Sequence, residues 1–129
     1  MLYFIVGRIL LGGYFLMSGY NHFKNLKMLT GYAQSKDVMM PREAVLLTGL
    51  MMVLGGAGIL LGVYVQYAIA LLAVFLLVVT LKMHQFWTIK DPMARMGEEV
   101  NFKKNLALLG ALLLLLSVPE SVWVASFSF

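Results

Sequence analysis

The sequence predicts an all-α integral membrane protein, a four-helix bundle with little outside the lipid. Three observations carry this. Of its 129 residues, 61% are hydrophobic and 12% charged. Its mean hydropathy is +0.87. From Ala44 to Leu81 there is no charged residue. A soluble domain of this size cannot hide so much apolar surface in one core. A bilayer supplies that apolar environment from outside.

A membrane span needs about 20 apolar residues, because the hydrocarbon layer is roughly 30 Å thick. The first span is expected at about 2–21. Arg8 lies inside this run rather than before it, and no small-residue cleavage site follows, so we read a retained helix rather than a signal peptide. The charge-free stretch is too long for one helix and fits two, at about 44–63 and 66–88. Gly62, Tyr64, Gln66 and Tyr67 mark the turn between them. A fourth span is expected at about 102–118, closed by Pro119 and Glu120. The remainder, 119–129, holds Trp123, Phe127 and Phe129 and reads as an interfacial tail. In the first loop, Lys24 to Leu29 reads as a short interfacial helix.

Lys24, Lys27, Lys36 and Arg42 lie in the first loop. Lys82, Lys90, Arg95, Lys103 and Lys104 lie in or beside the third connection, leaving Arg8 as the only other basic residue. Positive charge stays on the cytoplasmic side of a bacterial inner membrane. Both long loops are therefore expected in the cytoplasm and both termini outside. The net charge of +4 reads as orientation and lipid contact rather than nucleic-acid binding.

Lipid gives helices no hydrophobic reason to associate, so close packing falls to small residues. Gly12 and Gly19 share a face of the first helix. Gly49 and Gly56 share a face of the second, and Gly58 and Gly62 form a GxxxG step. These are the expected packing positions.

Ionisable groups at membrane depth are costly and are functional candidates by default. Arg8, Gly12, Phe15, Gly19 and His22 fall on one helical stripe. Arg8 therefore faces the bundle. One reading snorkels it to the outer surface, paired with Glu120. The other makes it an anchor for a quinone oxygen or lipid phosphate. At the opposite side, His22, His84 and Asn105 are expected together, near Lys103, Lys104, Glu98 and Glu99. Thr80, His84 and Trp87 share a face if the third helix runs through 88. Imidazoles there can cap helices, pass protons to a quinone or bind haem or metal. Without cysteine or a spaced carboxylate–histidine motif, metal and haem are disfavoured. No GxSxG, P-loop or GxGxxG motif is present, and no residue is assigned a catalytic role.

The segment from Arg8 through Gly12 and Gly19 to His22 resembles the first helix of DoxX-like membrane proteins. Gly55-Gly56-Ala57-Gly58 to Gly62 resembles their glycine-rich second helix. His84-Gln85-Phe86-Trp87, followed by Lys103-Lys104-Asn105-Leu106, resembles the His-x-Phe-Trp and Lys-Asn-Leu signature of one branch. The resemblance implies a single four-helix domain over 1–129 and a link to redox systems, since the family takes its name from a subunit of thiosulfate:quinone oxidoreductase. Many members carry an acidic residue about where Met52 stands, so this chain lacks that proton-carrying group in its second helix. Arg8, His84, Trp87, Lys104 and Asn105 match the motifs.

Three functional readings follow. The first is an accessory or assembly subunit of a larger respiratory or photosynthetic, redox-linked membrane complex. The second is a quinone-linked oxidoreductase subunit. The third is a lipid or small-molecule transporter, ranked last because few polar groups lie mid-span. The expected partners are the bilayer and other membrane subunits or a second copy. Quinone or bound lipid are the candidate ligands.

Overall fold

A computed structural model describes residues 1–125, and every described element is helical. Helix α1 spans Leu2–Lys24, α2 Leu26–Ser35, α3 Pro41–Leu61, α4 Val65–Met83, α5 Pro92–Leu116 and α6 Glu120–Ala125. A 3-10 turn, Phe86–Thr88, lies between α4 and α5. Three helical stretches are long and apolar enough to cross a membrane: α1, α3, and α4 with the turn after it.

The α3–α4 hairpin turns where the sequence places it. Gly62 ends α3 at φ 70°, a left-handed conformation that a Cβ disfavours. Its N–H and that of Val63 both donate to the Gly58 carbonyl. Gly62 is therefore a helix cap. The GxxxG reading gave it a packing role that falls to Gly58 alone.

Helix α3 is the centre of the bundle. In its most apolar window 39% of residues are buried, against 22% in α1 and 33% in α4. Its glycines serve two neighbours. Toward α1, a methyl group on Gly12 would lie 2.8 Å from the Gly56 carbonyl oxygen, and one on Gly56 would lie 2.7 Å from the Leu16 nitrogen. A methyl on Gly19 would meet the Gly49 carbonyl at 2.8 Å, and one on Gly49 would meet the His22 Cβ at 2.8 Å. Toward α4, Gly58 lies against Ala68 and Gly55 against Leu72. The α1 seam brings backbone against backbone and the α4 seam seats the Ala68 and Leu72 side chains on the α3 backbone, close contacts that replace hydrophobic drive in lipid. Phe15, Ile59, Ile69, Leu72 and Leu112 fill the core between them with no exposed surface.

Three boundaries differ from expectation. Helix α2 spans ten residues, Leu26–Ser35, longer than the short interfacial helix expected at Lys24 to Leu29 and displaced toward its C-terminal side. Helix α4 stops at Met83, and the chain leaves the helix at His84 (φ −114°, ψ 46°). Helix α5 begins at Pro92, ten residues before the expected Phe102. Asp91 caps it by accepting from the Ala94 N–H at 2.9 Å, and Pro92 occupies the first helical position. Hydropathy alone hides this start, because Arg95, Glu98, Glu99, Lys103 and Lys104 fill the first half of α5. Its uncharged part, from Asn105 to Leu116, is about 18 Å long, which is shorter than the hydrocarbon layer.

The closest packing follows an arc: α1 on α3, α3 on α4, α4 on α5, with α2 laid against α3. Both long connections lie at one end of this arc and the Gly62 turn at the other.

Candidate functional site

The polar residues separate into the two groups that the sequence leads one to expect, at opposite ends of the bundle. At the turn end stands Arg8, 5% exposed. Its Nε donates to the Ile59 carbonyl at 3.2 Å and its terminal nitrogen to the Leu60 carbonyl at 2.9 Å. These are last-turn carbonyls of α3, where the helix dipole is negative. The guanidinium also lies 5.8 Å from the Phe4 ring and 5.4 Å from the Trp123 ring, and those two rings meet edge to face. Trp123 is 3% exposed, so this part of the tail packs into the bundle; Phe127 and Phe129 lie outside the described residues. The expected pair with Glu120 is not formed: Glu120 is exposed at the start of α6 and makes no ion pair among the described residues. Among the described residues, backbone carbonyls and aromatic faces, rather than Glu120, are the neighbours of Arg8.

At the loop end the hub is Glu98 of α5. Its Oε2 accepts from His84 Nδ1 at 2.6 Å, and its Oε1 accepts from the Tyr32 hydroxyl at 2.5 Å. The Lys36 ammonium lies 3.9 Å from the same Oε1. One carboxylate thus ties α2, α4 and α5 together. Burial pushes the Glu98 carboxyl up, but the Tyr32 and His84 hydrogen bonds and the charges of His84 and Lys36 outweigh it and hold the group below its usual range. Burial, reinforced by the Glu98 hydrogen bond and charge, pushes the Tyr32 hydroxyl well above its usual value of 10.0.

Sequence reading names Glu98 only as a neighbour and misses Tyr32. The signal for Glu98 is its spacing. Glu98, Asn105 and Leu112 are seven apart, and the latter two are buried residues of α5. Starting α5 at Pro92 would have put Glu98 on that inward stripe. Tyr32 is 66 residues from Glu98, and no local pattern joins them.

His22 and Asn105 lie at this end too. His22 Nδ1 is 2.9 Å from the Ser18 carbonyl. A carbonyl only accepts, so this nitrogen carries the proton and Nε2 is left as an acceptor when the ring is neutral. Asn105 is 7% exposed and makes no side-chain hydrogen bond among the described residues. Trp87 does not share a face with His84, because the helix has ended. It is half exposed and packs edge to face on Phe86 and Phe102, docking the 3-10 turn onto α5. Lys103 is an exposed surface cation paired with Glu99 at 2.8 Å, and Lys104 is exposed at the rim.

The Tyr32–Glu98–His84 hub, His22, Lys104 and Asn105 border a partly open cavity of about 1260 Å³ in the loop-end half of the bundle, and Trp87 and Lys103 do not line it. Its apolar wall includes Phe15, Met51, Met52, Phe75 and Leu76. Its polar end includes Tyr32, His84, Glu98, Asn101 and Asn105, with His22 on the α1 side. An apolar chamber with a few convergent polar groups is the usual form of a small-molecule site. The volume admits an amphiphile with its head at the polar end and its tail along the methionine and phenylalanine wall. Arg8 lies at the other end and takes no part.

Among comparisons with known proteins, the family model described as DoxX matches residues 3–85, well over half of the chain. The chain belongs to the DoxX family. The match stops before α5, so Glu98, Lys104 and Asn105 lie beyond it. No curated protein and no solved structure matches the chain.

Proposed function

We propose that this DoxX-family protein is an accessory subunit of a larger, redox-linked membrane complex, and that it holds a quinone-type amphiphile for that complex. The observation that carries the reading is the loop-end cavity, apolar along its length and polar at one end. A ring with two carbonyl oxygens and an isoprenoid tail has that distribution of polarity. His84, oriented by Glu98, keeps Nε2 for a ligand oxygen and can hold or release a proton there. The chain itself has no cysteine to carry electrons. In this reading a partner subunit supplies the redox centre, and this chain supplies the quinone berth and the proton-holding imidazole. The basic residues of both long connections support a cytoplasmic position for this end of the cavity in a bacterial inner membrane.

The test is purification from native membranes in mild detergent, with subunits identified by mass spectrometry and quinone measured by extraction. The expected result is a stable complex carrying quinone in proportion to this chain. A partner-free protein without extractable quinone would sink the reading.

A further inference from the structure

The hydrogen-bonding capacity left over at the polar end of the cavity defines what it can read. Glu98 is already occupied by Tyr32 and His84. His22 has one ring nitrogen committed to Ser18. Asn105 is different. Its side chain is more than nine-tenths buried, borders the cavity and has no hydrogen-bond partner among the described residues. Its amide atoms are not among the fully buried unpartnered ones, which are Thr30 Oγ1 and Thr80 Oγ1, so they keep surface toward the cavity, free for a ligand.

We propose that Asn105 is the specificity-determining residue of this cavity, and that it reads an uncharged head group bearing a carbonyl or hydroxyl oxygen. This rests on the reading that the cavity takes an amphiphile. A carboxamide presents a donor and an acceptor side by side, so it pairs with a neutral oxygen in either its C=O or its O–H form. The surrounding charges exclude an anionic head. The Glu98 carboxylate stands on the same α5 stripe, seven residues before Asn105. Lys36 is engaged with that carboxylate. Lys82 and Lys104 border the cavity but are exposed, where water screens them. A phosphate or carboxylate drawn in to Asn105 would leave water and approach the Glu98 carboxylate, whose neighbouring His84 and Lys36 are already engaged with it.

The stability effect separates a reader from a structural asparagine. An Asn105 that held helices together would destabilise the protein when replaced. An Asn105 kept for a ligand leaves the ligand-free protein equally or more stable on replacement by leucine, while weakening binding.

The experiment uses the full chain in phosphatidylcholine nanodiscs. Three probes are titrated: a benzoquinone with one isoprenoid tail, the same tail on a plain benzene ring, and oleate as an anionic head. Wild type is compared with Asn105→Leu and the isosteric Asn105→Asp, and each melting temperature is recorded without ligand. The expected result is that Asn105→Leu weakens the benzoquinone by about tenfold or more, leaves the plain-ring probe unchanged and does not lower the melting temperature. Asn105→Asp, which keeps the shape and loses the donor pair, is expected to weaken it similarly and carries the test if the leucine variant does not fold. Benzoquinone binding within about twofold of wild type in a folded variant overturns the role of Asn105 and leaves the cavity reading standing. Oleate binding as tightly as benzoquinone overturns the uncharged-head assignment. A wild-type protein that binds no benzoquinone overturns both this inference and the quinone reading on which it rests.

Discussion

The Arg8 guanidinium donates to the Leu60 carbonyl at 2.9 Å, joining the first turns of α1 to the last turn of α3. This contact makes an intramembrane charge part of a helix cap. Replacing Arg8 by methionine keeps the length and removes the donors. The cost is expected at about 2–4 kcal/mol, from charged hydrogen bonds and the Phe4 and Trp123 ring contacts together. Arg8→Lys should recover part of it. Reversible unfolding in detergent measures both. A methionine variant as stable as wild type would show that the cap contributes nothing.

The α1–α3 seam makes two neighbouring glycines respond in opposite directions. Gly12→Ala puts a methyl 2.8 Å from the Gly56 oxygen and 2.9 Å from the Leu60 nitrogen, both backbone, so the helices must part. The expected loss is about 1–3 kcal/mol. Gly13 has nothing within 4 Å of an added methyl. Gly13→Ala should therefore stabilise slightly, by up to about 1 kcal/mol, through helix preference alone. The same unfolding measurement reads both, and equal effects would remove the seam argument.

Glu98 makes stability depend on acid. Its carboxyl is held below the reference value of 4.5 in the folded protein. The stabilisation is present in full above that reference value. It declines as pH falls below 4.5 and is gone once pH passes the lower, folded value. Glu98→Gln should flatten this part of the profile of melting temperature against pH. Tyr32→Phe removes one of the two hydrogen bonds and should bring the carboxyl back toward 4.5, moving the acid loss to higher pH. An unchanged profile in both variants would refute the hub.

Tyr32 answers at the alkaline end. Its hydroxyl is raised above 10.0, so the folded protein keeps that proton more firmly than the unfolded chain does. The associated stability is present below pH 10 and is lost as pH rises through the folded value. Ultraviolet titration of wild type against Tyr32→Phe should show no phenolate from this residue near pH 10. A difference spectrum that titrates at the ordinary position would contradict the burial and the Glu98 bond.

The absence of native cysteine makes orientation directly measurable. Single cysteines at Asp37 and Asp91 lie in the two long connections and should be labelled from one side of the membrane. One at Tyr64 should be labelled from the other. One at Ser117 reports on α5: labelling with Tyr64 means that α5 completes a crossing despite its short uncharged part.

What the sequence reveals divides along physical lines. The α3–α4 hairpin is readable because hydropathy, Gly62 and the flanking tyrosines agree. The glycine seams are readable because seven-residue spacing puts small residues on one face. The start of α5 is obscured because its first turns lie among charges, and Asp91-Pro92 is the only local sign of them. Trp87 is misplaced because the end of α4 has no proline or glycine to mark it. The Tyr32–Glu98–His84 hub depends on three separate helical elements meeting in space, which no periodicity encodes. Arg8 is turned inward by its stripe, while its acceptors in α3, being backbone, leave no trace in side-chain identity.

Those acceptors impose an order on biogenesis. Arg8 is made before α3, and its α3 carbonyls do not exist until synthesis has passed Leu60. The emerging first helix must carry its charge through that interval in the company of translocation machinery, headgroups or water. Trp123 follows α5 in the chain, so the ring that covers the guanidinium is made later than the carbonyls to which Arg8 donates. Helix α6 thus closes over a contact founded by α1 and α3, and a chain that has not yet reached Trp123 has its cap without its cover.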